Sequence, residues 1–365
     1  MKGRALALLA AALALTLTLT LTPTLTLALT SPACGRGESR ASGPGEGVPA
    51  RPNQGTNPNT NQGTNEGANE DTNPNTTPEQ TPSPAQPSAR VASPAGGRGG
   101  LFTPWRANLT ETESPFEIQR LDPDTWVIRQ SLATSPAAPF LYLLFGTNRA
   151  LLLDSGTGIA PLRPAIDAIM AERGTPGLPL IVAHSDADPD HTGGDAELAA
   201  RPDTQIIGHG PAAVAAAFGI TSWPSGEGHI DLGNRRLTIL ATPGHEAAHI
   251  MLHDPAARLL LTGDTLYPGR LHVPITAFAI WRASIARVAT YGRRHPVRAL
   301  LGAHIELRRT PGEAYPATAR RHPDEHALAL PAATLFELHA AATAMTGEPV
   351  RETHADFIIV PGWPG

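Results

Sequence analysis

Hydrophobic residues are distributed unevenly along the chain. Residues 5–30 form one long run of leucine, alanine and threonine. Residues 35–100 consist mainly of proline, glycine, asparagine, threonine, serine and glutamine, and large apolar side chains are almost absent. After residue 100, short apolar runs alternate with amphipathic segments. Only this last part has the apolar residues that a packed core requires.

The apolar runs after residue 100 predict strands separated by turns and helices. Strands are predicted at 126–130, 140–145, 149–153, 179–183, 204–207, 236–241, 248–252, 258–262 and 298–301. Helical periodicity predicts helices at 161–173, 194–200, 211–217, 279–292 and 331–345. The early strands follow one another closely, whereas helices separate the later ones. This order predicts an α/β fold in which helices lie outside two sheets.

The N-terminal run, residues 1–34, is typical of an export signal. Lys2 and Arg4 precede the apolar run, and the small residue Ala33 precedes Cys34. This end resembles a bacterial lipobox, in which the cysteine becomes acylated. We therefore expect an exported lipoprotein of the cell envelope. An ordinary cleaved signal and an uncleaved anchor are the alternatives, since the run is long enough to span a bilayer.

The composition of residues 35–100 predicts a disordered tether, because such a segment cannot bury enough apolar surface to offset its loss of entropy. Residues 101–365 are then a single domain. We expect this domain to contact the membrane only through the N-terminal lipid or anchor.

The charge of the chain argues against nucleic acid as a partner. The formal net charge is −5 and the pI is about 6.3, so an extended basic surface is not expected. Cys34 is the only cysteine, which excludes a framework of disulfides within the chain. A small-molecule substrate is the expected partner, and the oligomeric state is left open.

Histidine and aspartate are concentrated in segments that follow predicted strands, where a scaffold presents functional groups. In the first of these segments Asp186, Asp188 and Asp190 alternate, and His191 follows directly. Carboxylates this close repel one another unless a cation neutralises them, so a metal site is one interpretation. The alternative is a solvated acidic loop or a helix cap, with Asp190 or Thr192 as the capping residue.

Five motifs together resemble the metallo-β-lactamase superfamily. They are LLLDSG at 151–156, DHTGG at 190–194, PGHEAAH at 243–249, TGDTL at 262–266 and GAH at 302–304. The combination of PGHEAAH and TGDTL is most similar to the hydroxyacylglutathione-hydrolase-like branch. The resemblance implies a four-layer αβ/βα sandwich and a metal-dependent hydrolase.

The resemblance also implies roles for individual residues. Asp190, His191 and His304 would hold one metal, His245 would belong to the other site, and Asp264 would bridge the two. Asp190 or Asp264 would orient the attacking water. His249, four residues after His245, is expected to support the site or the core rather than to bind metal directly.

The sequence departs from the family pattern where its first two motif histidines are expected, because Asp186 and Asp188 stand there. Register favours Asp186 as a ligand, and His184 is the alternative if the loop shifts. The expected metal ligands are Asp186, Asp188, Asp190, His191, His245, Asp264 and His304.

We therefore expect one or two divalent metal ions. The resemblance implies zinc, whereas the additional carboxylates favour manganese or iron. The expected reaction is hydrolysis of a small ester, thioester, lactone or phosphoester by a metal-activated water. The alternative is a non-catalytic envelope protein whose degenerate fold has lost one metal site.

Overall fold

The computed structural model describes residues 91–92, 100–106 and 114–362, with only the backbone of 91–92. The predicted signal peptide and most of the predicted tether lie outside these residues. Within them, no helix is long and apolar enough to cross a membrane.

The first sheet contains seven strands that lie side by side in chain order. They are β1 (Val91–Ala92), β2 (Phe116–Asp122), β3 (Thr125–Gln130), β4 (Phe140–Phe145), β5 (Ala150–Leu153), β6 (Leu180–Ala183) and β7 (Thr204–Ile206). Strands β2 to β5 pair antiparallel, whereas β5, β6 and β7 are parallel. The carboxyl ends of β5, β6 and β7 therefore meet at one edge.

The second sheet has six strands in the order β14-β13-β11-β10-β9-β8. They are β8 (Glu227–Asp231), β9 (Arg236–Ala241), β10 (Ile250–Asp254), β11 (Leu259–Gly263), β13 (Ala299–Gly302) and β14 (Ala329–Leu330). A smaller sheet joins β12 (Arg270–Val273), β16 (Ile358–Pro361) and β15 (Glu352–Thr353).

Six α-helices are present in the described part of the chain. They are α1 (Arg163–Glu172), α2 (Pro189–Thr192), α3 (Asp195–Ala199), α4 (Pro211–Phe218), α5 (Phe278–Arg294) and α6 (Ala332–Ala344). A short 3-10 turn, Ile275–Ala277, leads into α5.

Alternating side chains of the strands place the two sheets face to face. In β5, Leu151 packs into the core between the sheets together with Ile239 of β9. The neighbouring Leu152 points to the opposite face and packs with Ile166 of α1. The outer face of the second sheet packs against α5 and α6. The layers are therefore helix, sheet, sheet and helix, which confirms the predicted α/β four-layer architecture.

The predicted strands agree with the structure best where apolar runs are fully buried, as in β4 and β9. The strand predicted at 248–252 instead begins at Ile250, because the two preceding residues belong to a loop. Pattern reasoning missed β8, in which most side chains are exposed or half-buried, and also β2 and β12. Such strands lack a continuous apolar run, so their pairing is decided by neighbouring strands.

A buried arginine ties the two sheets together. Arg235 lies in the β8–β9 turn of the second sheet and pairs with Asp254 at the end of β10. Its guanidinium also donates to the Thr125 hydroxyl at 2.8 Å and to the Phe145 carbonyl at 3.2 Å, both in the first sheet. Buried ion pairs of this kind are costly to break from one side, because the remaining charge loses its partner.

We therefore expect Arg235→Met to lower the free energy of unfolding by about 3–5 kcal/mol. The matched control is Arg236→Met, since Arg236 is exposed and its loss should change the free energy by about 0.5 kcal/mol or less. Urea unfolding followed by circular dichroism measures both. Equal effects of the two substitutions would contradict a tie between the sheets.

Candidate metal centre

The loops that follow β6, β9, β11 and β13 meet at one end of the sandwich. They bring together all seven residues that the sequence marked as metal ligands. These are Asp186, Asp188, Asp190, His191, His245, Asp264 and His304. We call this group the central cluster.

The acidic segment after β6 is shaped by a short helix. Pro189 occupies the first turn of α2, where its fixed φ suits a helix start, and the extended Asp188 precedes it. The amide of Asp188 donates to Asp186 Oδ1 at 3.0 Å. Asp190 and His191 follow on α2 itself. The six residues from Asp186 to His191 therefore provide four candidate ligands.

Two glycines allow the loops to approach closely. A Cβ on Gly193 would lie 2.4 Å from the carbonyl carbon of Thr157, so only glycine fits against this turn. Gly263 has a φ of +51°, and a Cβ there would lie 2.8 Å from the Ser185 Cβ. The glycines of DHTGG and TGD therefore set the backbone positions from which the side chains reach the cluster.

Two of the imidazoles are oriented by backbone carbonyls. His245 Nδ1 lies 2.9 Å from the carbonyl oxygen of His272, and His304 Nδ1 lies 2.8 Å from that of Ala137. A carbonyl only accepts, so each Nδ1 carries the proton and donates. Each Nε2 is thereby directed toward the carboxylates as a potential metal ligand.

His191 is oriented by a buried carboxylate instead. Its Nδ1 lies 3.0 Å from Ser185 Oγ and 3.1 Å from Asp154 Oδ2. Asp154 also accepts from the amide and hydroxyl of Ser185, at 2.6 and 2.9 Å. A carboxylate that holds the far nitrogen of a ligating histidine fixes the ring and increases its basicity. Asp154 belongs to the LLLDSG motif and adopts a φ of +70°.

The carboxylate of Asp264 stands at the middle of the central cluster. Its Oδ1 lies 3.4 Å from His191 Nε2 and 3.2 Å from His304 Nε2. Its Oδ2 faces the other way and lies 3.5 Å from His245 Nε2. One carboxylate thus contacts two separate groups of ligand atoms, the arrangement expected of a bridge.

The other aspartates divide between these two groups. Asp190 lies 3.8 Å from His191 Nε2 and 3.5 Å from His304 Nε2. Asp188 and Asp186 lie 3.7 and 4.0 Å from His245 Nε2. Two ligand atoms on one tetrahedral ion, each about 2.1 Å from it, stand about 3.4 Å apart. The spacing in both groups therefore fits a shared cation.

Unsatisfied polar atoms support the same interpretation. Among the described residues, Asp186 Oδ2, His191 Nε2 and Asp264 Oδ1 are buried and have no hydrogen-bond partner. Such atoms are costly to bury unless something else satisfies them. The donor set of imidazole nitrogens and carboxylate oxygens suits a divalent metal. The Asp188 and Asp190 side chains are each 28% exposed, so solvent reaches the cluster from their side.

The electrostatics of the metal-free cluster favour bound protons. Burial raises the pKa of Asp186 to about 7, with Asp264 adding to this effect. Burial opposes the charged form of His245 and His304, but the surrounding carboxylates outweigh it and raise both pKa values to about 9. The pKa of His191 is also raised, because the carboxylates of Asp186 and Asp154 outweigh the effect of burial. In the metal-free protein, protons supply the positive charge that the carboxylates require.

Two neighbouring histidines lie outside the central cluster. His184, the alternative to Asp186, points away and contacts Asp195 at 2.8 Å, whereas Asp186 lies inside the cluster. His249 is fully buried and contacts the hydroxyls of Thr242 and Thr265 at 2.8 and 3.2 Å. Burial and the nearby charge of His245 lower its pKa to about 3. His249 is therefore a neutral supporting residue.

Arg308 and Arg320, which follow His304, contact groups outside the central cluster. Arg308 pairs with Glu313 at 3.0 Å and lies over the Tyr315 ring at 4.1 Å. Arg320 donates to the carbonyl of Leu132 at 3.2 Å. A role in binding an anionic substrate is not indicated by these contacts.

Sequence reasoning did not find the groups that orient the ligands, apart from Asp154. The carbonyls of His272 and Ala137 leave no signal in a sequence, because every residue carries one. Tyr267, whose ring lies 5.3 Å from that of His304, directly follows the TGDTL motif and was not identified from the sequence.

A family model described as the metallo-beta-lactamase superfamily matches residues 136–304. This range contains every residue of the central cluster. Residues 136–304 are thus similar to the metallo-β-lactamase superfamily. Members of this superfamily are hydrolases that generally bind divalent metals, most often zinc.

Curated relatives match a part of this chain. Hydroxyacylglutathione hydrolase of Dechloromonas aromatica is 32% identical over 130 residues, which cover 35% of this chain and 44% of the relative. Acyl-coenzyme A thioesterase MBLAC2 of Homo sapiens is 45% identical over 42 residues, 12% of this chain and 15% of the relative. The chain thus spans less than half the length of these relatives.

Metallo-beta-lactamase from Pontibacter korlensis superposes with a TM-score of 0.45 and 14% identity, over 63% of this chain and 100% of that chain.

The pKa values predict that metal binding releases protons. Below about pH 9, His245 and His304 are protonated in the metal-free protein, and each must lose a proton from Nε2 to bind a metal. We expect release at pH 7 and a smaller release above pH 9. Calorimetric metal titration in buffers of different ionisation enthalpy measures it. Binding at pH 7 without proton release would contradict the assignment of these imidazoles as ligands.

Proposed function

We propose that this protein is a metal-dependent hydrolase that cleaves a thioester or a related small ester with a metal-activated water. The observation that carries the proposal is the Asp264 carboxylate, whose two oxygens face different imidazoles, His191 and His304 on one side and His245 on the other. This arrangement supports a centre for two divalent ions.

The residues would hold the ions in two overlapping groups. Asp190, His191 and His304 would bind one, Asp186, Asp188 and His245 the other, and Asp264 both. A bound metal pair would supply a nucleophilic water near neutral pH and would polarise the carbonyl or phosphoryl oxygen of the substrate. Because carboxylates outnumber imidazoles, harder ions such as manganese or iron compete better with zinc than at a histidine-rich site.

The protein's own groups position water and substrate. Asp190 is partly exposed and lies 3.5 Å from His304 Nε2, so its carboxylate can accept a hydrogen bond from the attacking water at the solvent-facing side. Asp264 is more deeply buried and fixes the spacing of the two groups. Substrate must approach from the side of Asp188 and Asp190, because the opposite side is closed by Asp154 and Ser185.

The names of the relatives point to thioesters, since one is a hydroxyacylglutathione hydrolase and another an acyl-coenzyme A thioesterase. Export, which residues 1–34 predict, would separate the protein from cytosolic thioesters. A substrate of the same chemistry but another carrier is therefore part of the proposal, and esters, lactones and phosphoesters belong in the test.

The first test combines metal analysis with a panel of substrates. Purified protein loaded with manganese, iron or zinc is assayed on thioesters, esters, lactones and phosphodiesters. We expect one or two ions per chain and hydrolysis of at least one class. Less than one ion per chain and no hydrolysis with any metal would instead support a non-catalytic envelope protein.

The bridging role predicts a large effect of Asp264→Asn. Loss of an outer partner of a metal ligand costs about 10–100-fold in affinity or activity, so loss of the bridge should lower kcat/KM by about 100-fold or more. The control is Asp203→Asn, because Asp203 is exposed and belongs to no candidate metal group. A decrease of less than about tenfold would contradict bridging.

Replacing both Asp186 and Asp188 by histidine should shift metal preference toward zinc, because imidazole nitrogen favours zinc over manganese. Competition between the two metals, followed by elemental analysis, measures the shift. The control is the single Asp203→His variant, because Asp203 is exposed and belongs to no candidate metal group. An unchanged preference in the double variant would show that neither aspartate is a ligand.

A further inference from the structure

A second group of side chains that could bind a metal ion lies outside the central cluster and provides none of its candidate ligands. His184 follows β6, Asp195 begins α3, and His209 comes shortly after β7. Strands β6 and β7 are parallel neighbours, so the residues that follow them emerge at the same edge of the sheet. Chain segments from three elements therefore converge on one point.

The three side chains are in direct contact. Asp195 Oδ1 lies 2.8 Å from His184 Nε2, and Asp195 Oδ2 lies 2.7 Å from His209 Nε2. The two imidazole rings stand edge to face, with centroids 4.7 Å apart. One ligand atom from each residue can be chosen so that all three lie within 4.8 Å of one another.

We propose that His184, Asp195 and His209 bind an additional divalent transition-metal ion, separate from the ions of the central cluster. None of the three residues contacts the cluster's ligand atoms through a hydrogen bond or ion pair within the described part of the chain.

The donor set decides the kind of metal. Two imidazoles and one carboxylate form a ligand set typical of zinc sites with three protein ligands. The central cluster has more carboxylates than imidazoles, whereas here nitrogen predominates. The additional site should therefore favour zinc, cobalt or copper over manganese and magnesium.

Burial is graded across the site. The side chain of His184 is 4% exposed, that of Asp195 17% and that of His209 41%. His184 and Asp195 are thus mostly buried, whereas His209 lies on the solvent-facing side of the site. Water can fill a fourth position next to His209.

The carboxylate is already prepared for a cation. Ser155 donates from Oγ to Asp195 Oδ1 at 2.8 Å, which fixes the side chain. Burial alone raises the pKa of Asp195, but the hydrogen bonds with His184 and His209 outweigh it and lower the pKa below its usual value.

A metal requires only a small rearrangement. Ligand atoms on a tetrahedral zinc ion stand about 3.4 Å apart, so the two contacts must open by about half an ångström. Rotation of the His209 side chain can provide this, because its ring is partly exposed. The buried contact between His184 and Asp195 must lengthen as well.

The test uses full-length protein without a histidine tag, stripped by a chelator and titrated with zinc under equilibrium dialysis and elemental analysis. The variant is His209→Ala. The matched control is His229→Ala, which removes another exposed histidine. We expect His209→Ala to bind one zinc ion fewer per chain than the native protein, and the control to bind the native number.

A second variant separates metal binding from a purely structural contact. Asp195→Asn keeps the size of the side chain but removes its charge, and zinc should raise its thermal unfolding temperature less than that of the native protein. Cobalt titration of Asp264→Asn should still show the absorption of the additional site, even if the central cluster fails to load. Failure of the proposed function and failure of this site thus give different results.

Equal zinc content in native protein and His209→Ala would overturn the proposal. So would equal zinc-dependent stabilisation of native protein and Asp195→Asn. In either case the three residues form a hydrogen-bonded group without metal.

Discussion

The central cluster, at one end of the sandwich, depends on the aspartate carboxylates that are concentrated in a largely buried position. Four aspartates converge there, and two of them, Asp186 and Asp264, are almost fully removed from solvent. Ionised carboxylates at such distances strongly disfavour one another unless positive charge compensates them. In the metal-free protein the imidazoles hold protons for this purpose. A divalent ion is the better solution, because it also satisfies the oxygens and nitrogens that lack hydrogen-bond partners.

Binding of such an ion requires that each imidazole directs Nε2 into the cluster, and contacts to Nδ1 on the other side of each ring fix this orientation. The carbonyls of His272 and Ala137 and the carboxylate of Asp154 each accept a hydrogen bond from an imidazole Nδ1–H. These acceptors lie on different segments of the fold, which the two packed sheets bring into register. The stability of the sandwich, including the Arg235 tie, thereby determines the geometry of the cluster.

The candidate ligands could be predicted from the sequence more completely than the strands of the fold. Buried strands such as β4 and β9 are visible as continuous apolar runs, and the ligands follow strands of that kind. Partly exposed strands such as β8 leave no such run. The sequence favoured Asp186 by register and left His184 as the alternative, because residues two apart on a regular strand would lie on one face. The strand ends at Ala183, so the turn that follows sends the two side chains to different clusters.

This divergence has a chemical consequence for metal selection. Asp186 adds a hard oxygen ligand to the central cluster, while His184 adds a nitrogen ligand to the group with Asp195 and His209. Had the loop placed His184 in the cluster, the preference of the two groups would be more alike. Instead, two residues of one loop, separated only by Ser185, increase the difference between an oxygen-rich and a nitrogen-rich set. Different ions can then occupy neighbouring places without competing for the same ligands, since affinity follows the softness of the donors.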